Sequence, residues 1–161
     1  MKKIVQVIIC VALLMLPYNG FSQSRYYDHA MDMDVSGVFI GGTYTKTSVE
    51  NVWGGATTYR SSMSEFGLNE TYYYDTTLFR FGDNGIFHSF NIKSSNFIVY
   101  TAFQGGIKVG DNIARVQTIG LGTPVLQNDG TYHLRRNNST DPLIFTQSNG
   151  TITQIRFVTS I

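Results

Sequence analysis

The chain has 161 residues, with 12 Lys or Arg against 11 Asp or Glu, and only 14% of its residues are charged. No basic stripe is available to neutralise a row of phosphates, so no nucleic acid is expected as a partner. The length suits one domain or two small ones, and 14% aromatics, 16 glycines and 3 prolines suit a β-rich protein with many turns.

Met1 to Gln23 reads as a signal peptide. Lys2 and Lys3 precede an apolar run from Ile4 to Leu16 that only Gln6 interrupts, Pro17 to Gly20 break it, and small Gly20 and Ser22 stand before the expected cut. The run falls short of the ~20 apolar residues of a membrane span, so no stable membrane anchor is expected after cleavage. Cys10, the single cysteine, leaves with this segment. The mature chain would then use no disulfide in an oxidising compartment. Loss of Lys2 and Lys3 leaves ten basic against eleven acidic residues. The expected location is the periplasm of a Gram-negative bacterium or the medium outside it.

Residues 24–37 lack periodicity and read as a flexible lead, with a first strand near Val38 to Ile40. A helix follows: Thr45 caps it, Val49, Val52 and Trp53 share one face, and Gly54 and Gly55 stop it. Strand-like runs span Thr57 to Ser62 and Leu68 to Tyr74. Leu78 to Phe81 and Ile86 to Ile92 flank Gly82-Asp83-Asn84-Gly85, a strong hairpin signal. Alternation in the second arm puts Ile86, His88, Phe90 and Ile92 on one face. Phe97 to Phe103 reads as a buried strand, and Ile107 with Val109 as another. Asp111 or Asn112 caps a second helix with Ile113, Val116 and Ile119 as its apolar residues, ended by Gly120, Gly122 and Pro124. Thr131 to Leu134 is a short strand, and Arg135 to Pro142 a loop. Leu143 to Thr146 and Thr151 to Val158 flank a second hairpin turn, Ser148-Asn149-Gly150.

The two halves match. Ile40 and Ile107, Val49 and Val116, Val52 and Ile119, and Gly55 and Gly122 stand 67 positions apart. Leu78 and Leu143, Asn84 and Asn149, Gly85 and Gly150, and Phe90 and Ile155 stand 65 apart. These spacings point to a tandem duplication, with repeat 1 over residues 38–97 and repeat 2 over 98–161. The expected fold class is α+β: two tandem repeats, each a short helix on a 3–4-stranded antiparallel sheet, joined into one longer sheet with an open face.

Strand, turn, cap, helix, glycine and hairpins in tandem resemble the β-lactamase inhibitory protein fold. The single unit is similar to the small lipoprotein of the outer-membrane β-barrel assembly machinery. Ile40, Thr45, Val49 and Gly54 carry the likeness in the first unit, and Ile107, Gly110, Asn112, Val116 and Gly122 in the second. The resemblance implies binding of another protein through a sheet face.

Chemistry is sparse. Asp28, His29, Asp32 and Asp34 lack calcium-loop spacing and read as a solvated tail. No GxSxG elbow, Ser–His–Asp spacing or phosphate-cradling glycine loop occurs, and no cofactor is expected. His88 reads as a satisfied core or rim residue rather than a ligand. The expected binding residues are Tyr59, Tyr72, Tyr73, Tyr74, Tyr100 and Tyr132, because tyrosine offers wide contact area with few rotors to freeze. The expected function is therefore non-catalytic: an exported protein binding an envelope or extracellular protein through an open sheet face. A carbohydrate or small-ligand module and a small hydrolase are the alternatives.

Overall fold

Two Asn-Gly turns and the strands they join set the frame of the structure, a computed structural model that describes residues 33–101, 104–120, 122–135 and 141–159. The signal peptide, the lead as far as residue 32, the Asp28, His29 and Asp32 cluster and Phe103 lie outside the described residues. In chain order the elements are β1 (Met33–Val35), β2 (Val38–Phe39), α1 (Lys46–Trp53), β3 (Thr58–Ser64), β4 (Gly67–Tyr74), β5 (Thr77–Gly82) and β6 (Ile86–Ile92). Then come β7 (Ile98–Thr101), β8 (Gln104–Lys108), a 3-10 helix (Ile113–Thr118), β9 (Val125–Leu126), β10 (Tyr132–Leu134), β11 (Leu143–Ser148) and β12 (Thr151–Val158).

The local chemistry of α1 is as its residues dictate. Thr45 accepts from the Ser48 N–H while the Ser48 hydroxyl accepts from the Thr45 N–H, a reciprocal cap, and Gly54 ends the helix at φ 81°. The turn between β11 and β12 has φ 50° at Asn149 and 77° at Gly150, the mirror-image turn that suits strand twist. The β5–β6 turn is one residue longer, with positive φ at Asp83, Asn84 and Gly85.

All pairings between strands are antiparallel. One sheet has the order β2-β1-β7-β8; the other has β3-β4-β5-β6-β12-β11-β10-β9, leaving β3 and β9 as its borders. Both sheets are centred on a pair drawn from the two halves of the chain: β1 with β7, and β6 with β12. Equivalent backbone bonds recur in each half. Gly41 and Tyr44 donate to Phe87 and Gly85; Gly110 and Ile113 donate to Ile152 and Gly150.

The expected α+β architecture of tandem helix-on-sheet units is corrected by these pairings. The described residues are 53% strand and 12% helix, with two large antiparallel sheets. The physical reason is the size of the helices. Over its eight residues α1 fully buries only Val49, and the second helical segment is a six-residue 3-10 turn that buries Val116. Neither can cover a sheet, so the second layer is built from strands: β1–β2 and β7–β8 pair with each other and share one buried core with the longer sheet.

Two further expectations change. β1 lies inside the segment read as a lead; Met33 and Val35 are buried against partners Thr101 and Val99, far along the chain. The face assignment in β6 also flips. Arg80 pairs with Ser89 but Phe81 pairs with Phe87, leaving His88 as the extra residue of a bulge. Phe87, Phe90 and Ile92 therefore all face the core. Thr153 is the extra residue of a matching bulge between β11 and β12.

The core is graded in composition. Around Trp53 it is aromatic: Phe79 lies 4.2 Å away centroid to centroid, Phe87 5.7 Å and Phe97 5.8 Å. The Trp53 indole N–H donates to the Val35 carbonyl at 3.0 Å, tying α1 to β1. On the far side the core is largely aliphatic, with Val116, Ile119, Leu134, Leu143, Ile152 and Ile155.

Candidate binding face

Strand parity decides which side chains the eight-stranded sheet presents outward. Tyr72 pairs with Phe79 and Glu70 with Phe81, all buried, so Thr71 and Tyr73 point to the opposite side. Carried across the ladders, the outward positions form a row of Thr58, Tyr73, Leu78, Asn91, Arg156 and Ile144, continuing to His133 and Val125. A second row holds Arg60, Thr71, Arg80, Ser89 and Val158. Within these two rows only Ser89 is buried.

The charge on this face has one sign. Arg60, Arg80 and Arg156 are exposed on it, and among the described residues no Asp or Glu occupies an outward strand position of this sheet. Glu70 points inward, whereas Asp75, Asp83 and Asp129 sit in turns. Arg60 and Arg80 are two strands apart, about 10 Å, and Arg156 is about 12 Å beyond Arg80. Those gaps exceed the screening length of ~8 Å at physiological salt, so each guanidinium acts there largely as a separate charge, and the three fields overlap more strongly as salt falls. The Arg60 guanidinium lies 5.4 Å from the centre of the Tyr73 ring, which steadies it on the sheet.

The six tyrosines do not form one surface. Tyr73 alone belongs to the face just described. Tyr72 is in the core at 0% exposure, because strand alternation turns Tyr72 inward whenever Tyr73 points out. Tyr59 and Tyr132 pair with Tyr72 and Phe145 and pack against the core. Tyr74 meets Trp53 edge to face at 6.1 Å. Tyr100 is exposed, but on the outer face of the four-stranded sheet, opposite Asp34.

Inside the sheet, Glu70 is buried and accepts hydrogen bonds from the hydroxyls of Tyr59 and Tyr72. Burial first, and the Glu70 charge next, push the Tyr72 phenol well above its ordinary range. Burial raises Tyr74 to about 12. Burial, aided by the nearby Arg80 charge, lowers His88 to about 4, so its imidazole is neutral at pH 7. Among the described residues no group of three or more His, Cys, Asp or Glu is placed to hold a metal ion, and no helix is long and apolar enough to cross a membrane.

The arginines escaped sequence reading, although the signal was present: Arg80 stands between Phe79 and Phe81, and Arg156 between Ile155 and Phe157, as outward positions of buried strands must. Comparison with family models, with curated proteins and with solved structures returned no match to this chain.

Proposed function

We propose that this chain is an exported, non-catalytic binding protein that holds an acidic partner protein of the cell envelope or its surroundings on the outer face of the eight-stranded sheet. The observation that carries this reading is the single-signed face: three exposed arginines with no carboxylate among them, on a chain whose total charge is close to zero. Segregated charge of this kind steers an oppositely charged surface and sets its register. Tyr73 and Leu78 supply flat, half-buried area between the arginines. We also infer that the two halves descend from one duplicated unit, a reading supported by the matched bulges at His88 and Thr153 and the repeated backbone clamps.

The test is charge reversal. Full-length protein and the triple variant Arg60→Glu, Arg80→Glu, Arg156→Glu are cross-linked in envelope extract at physiological and at high salt. The expected result is an acidic partner captured by the wild type, lost in high salt and lost in the triple variant, while Lys46→Glu on α1 retains it. Equal capture by the triple variant overturns the proposal.

A further inference from the structure

A cavity of about 270 Å³ opens where the last turn of α1 meets the β4–β5 turn and the β6–β7 connection. Its apolar wall is aromatic. Trp53, Tyr74 and Phe97 stand at steep angles to one another: 87° between Trp53 and Tyr74, 81° between Trp53 and Phe97, and 65° between Tyr74 and Phe97. The rings are locked from behind by Phe79, which lies within 6 Å of each by centroid. This corner therefore exists before any ligand arrives.

The rim is polar and uncharged but for one carboxylate. Thr57, Asp75 and Asn96 are exposed on it. Asp75 is held in place: its N–H donates to the Thr57 hydroxyl oxygen at 3.3 Å, and its backbone has φ 54°. No lysine or arginine lines the cavity.

We propose that this cavity takes one neutral pyranose ring. An anion is disfavoured because Asp75 stands on the rim with no cation to offset it. A purely apolar ligand would cover the Asn96 amide and the Asp75 carboxylate, which accepts from the Thr57 hydroxyl at 3.5 Å, and offer neither of them a new partner. A polyhydroxyl ring has an apolar face for the aromatic corner and hydroxyls at its edge for the carboxylate, amide and hydroxyl groups around it. The volume is just below the range for drug-sized ligands and suits a single ring. The site is independent of the arginine face, since none of its residues belongs to the outward rows.

Trp53 is the only tryptophan, so its emission reports the site directly. Purified full-length protein is titrated with the methyl pyranosides of glucose, galactose and mannose, with choline as a cationic probe and glucuronate as an anionic one. The expected result is a saturable change with at least one neutral glycoside, with a dissociation constant on the order of 1–10 mM. Asn96→Ala should weaken it about tenfold with an unchanged far-ultraviolet spectrum. Asp75→Asn, which keeps a hydrogen-bonding side chain and tolerates the same backbone conformation, should change it less than about threefold. A response to choline alone, abolished in Asp75→Asn, would assign the site to a cation and overturn the proposal. So would a glycoside response that Asn96→Ala leaves untouched, or none with any glycoside at ~100 mM.

Discussion

Asn91 and Arg156 face each other across the seam where the two four-stranded meanders join, and Arg156 stands 65 positions after Asn91. On either side of that pair, Ile92 meets Ile155 and Phe90 meets Phe157, so each strand offers the other the same sequence of positions. The Gln154 amide donates to the Asn91 side-chain oxygen at 2.6 Å and tightens the seam.

Because one core spans this seam, the halves should unfold together. Trp53 emission senses the first half, whereas far-ultraviolet circular dichroism senses both. In urea the two signals are expected to give coincident midpoints. Separate midpoints would show that the halves fold independently.

Gly85 and Gly150 occupy matching turns but are held differently. A Cβ on Gly85, at φ 105°, would lie 2.2 Å from the Tyr44 carbonyl oxygen, a backbone atom. A Cβ on Gly150, at φ 77°, meets nothing within 4 Å. Gly150→Ala should therefore cost only conformational strain, about 1–2 kcal/mol. Gly85→Ala must also displace the segment leading into α1, and a loss above about 3 kcal/mol is expected by chemical denaturation.

Glu70 depends on its two phenols. Tyr72→Phe removes one donor without opening a cavity, and should destabilise by roughly 1–3 kcal/mol. The Tyr59 hydroxyl still donates to Glu70 in Tyr72→Phe, so only Tyr59→Phe combined with Tyr72→Phe leaves the buried carboxylate without either phenol, and that double variant is expected to lose more than the sum of the two single variants. A strictly additive loss would contradict the shared acceptor.

His88 gives a signed pH dependence. Its value near 4 in the folded chain lies below the ordinary 6.5, so the unfolded chain binds its proton first. Stability from this residue is present above pH 6.5 and is lost as pH falls towards 4, by an amount on the order of 1–3 kcal/mol. Wild type and His88→Gln should differ more in the slope of stability against pH between 4 and 6.5 than at pH 7 and above. Equal slopes would remove the assignment.

Legibility in the sequence followed the range of each interaction. Thr45, Ser48 and Gly54 act within one helix, and Asn149 with Gly150 within one turn, so α1 and the last hairpin could be read directly. β1 could not, because Met33 and Val35 gain their burial from β7. Simple alternation misplaced His88, since a bulge inserts a residue that only the partner strand reveals. The tyrosine run from 72 to 74 drew attention by composition, yet parity hides its middle-strand neighbours and leaves Tyr73 alone on the outer face. The arginines were readable by the same parity, from the buried aromatic and aliphatic residues on either side of them.

The longer sheet stops at β3 and β9 rather than closing into a cylinder. Among the described residues no further strand pairs with either border; exposed Met63 lies on one and exposed Val125 and Leu126 on the other. The β3 edges of two copies could pair across a two-fold axis and close, whereas β3 of one copy meeting β9 of another would join them head to tail. Only the second kind of joining has no symmetry to end it, and it is the route by which fibrous growth would begin in crowded solutions.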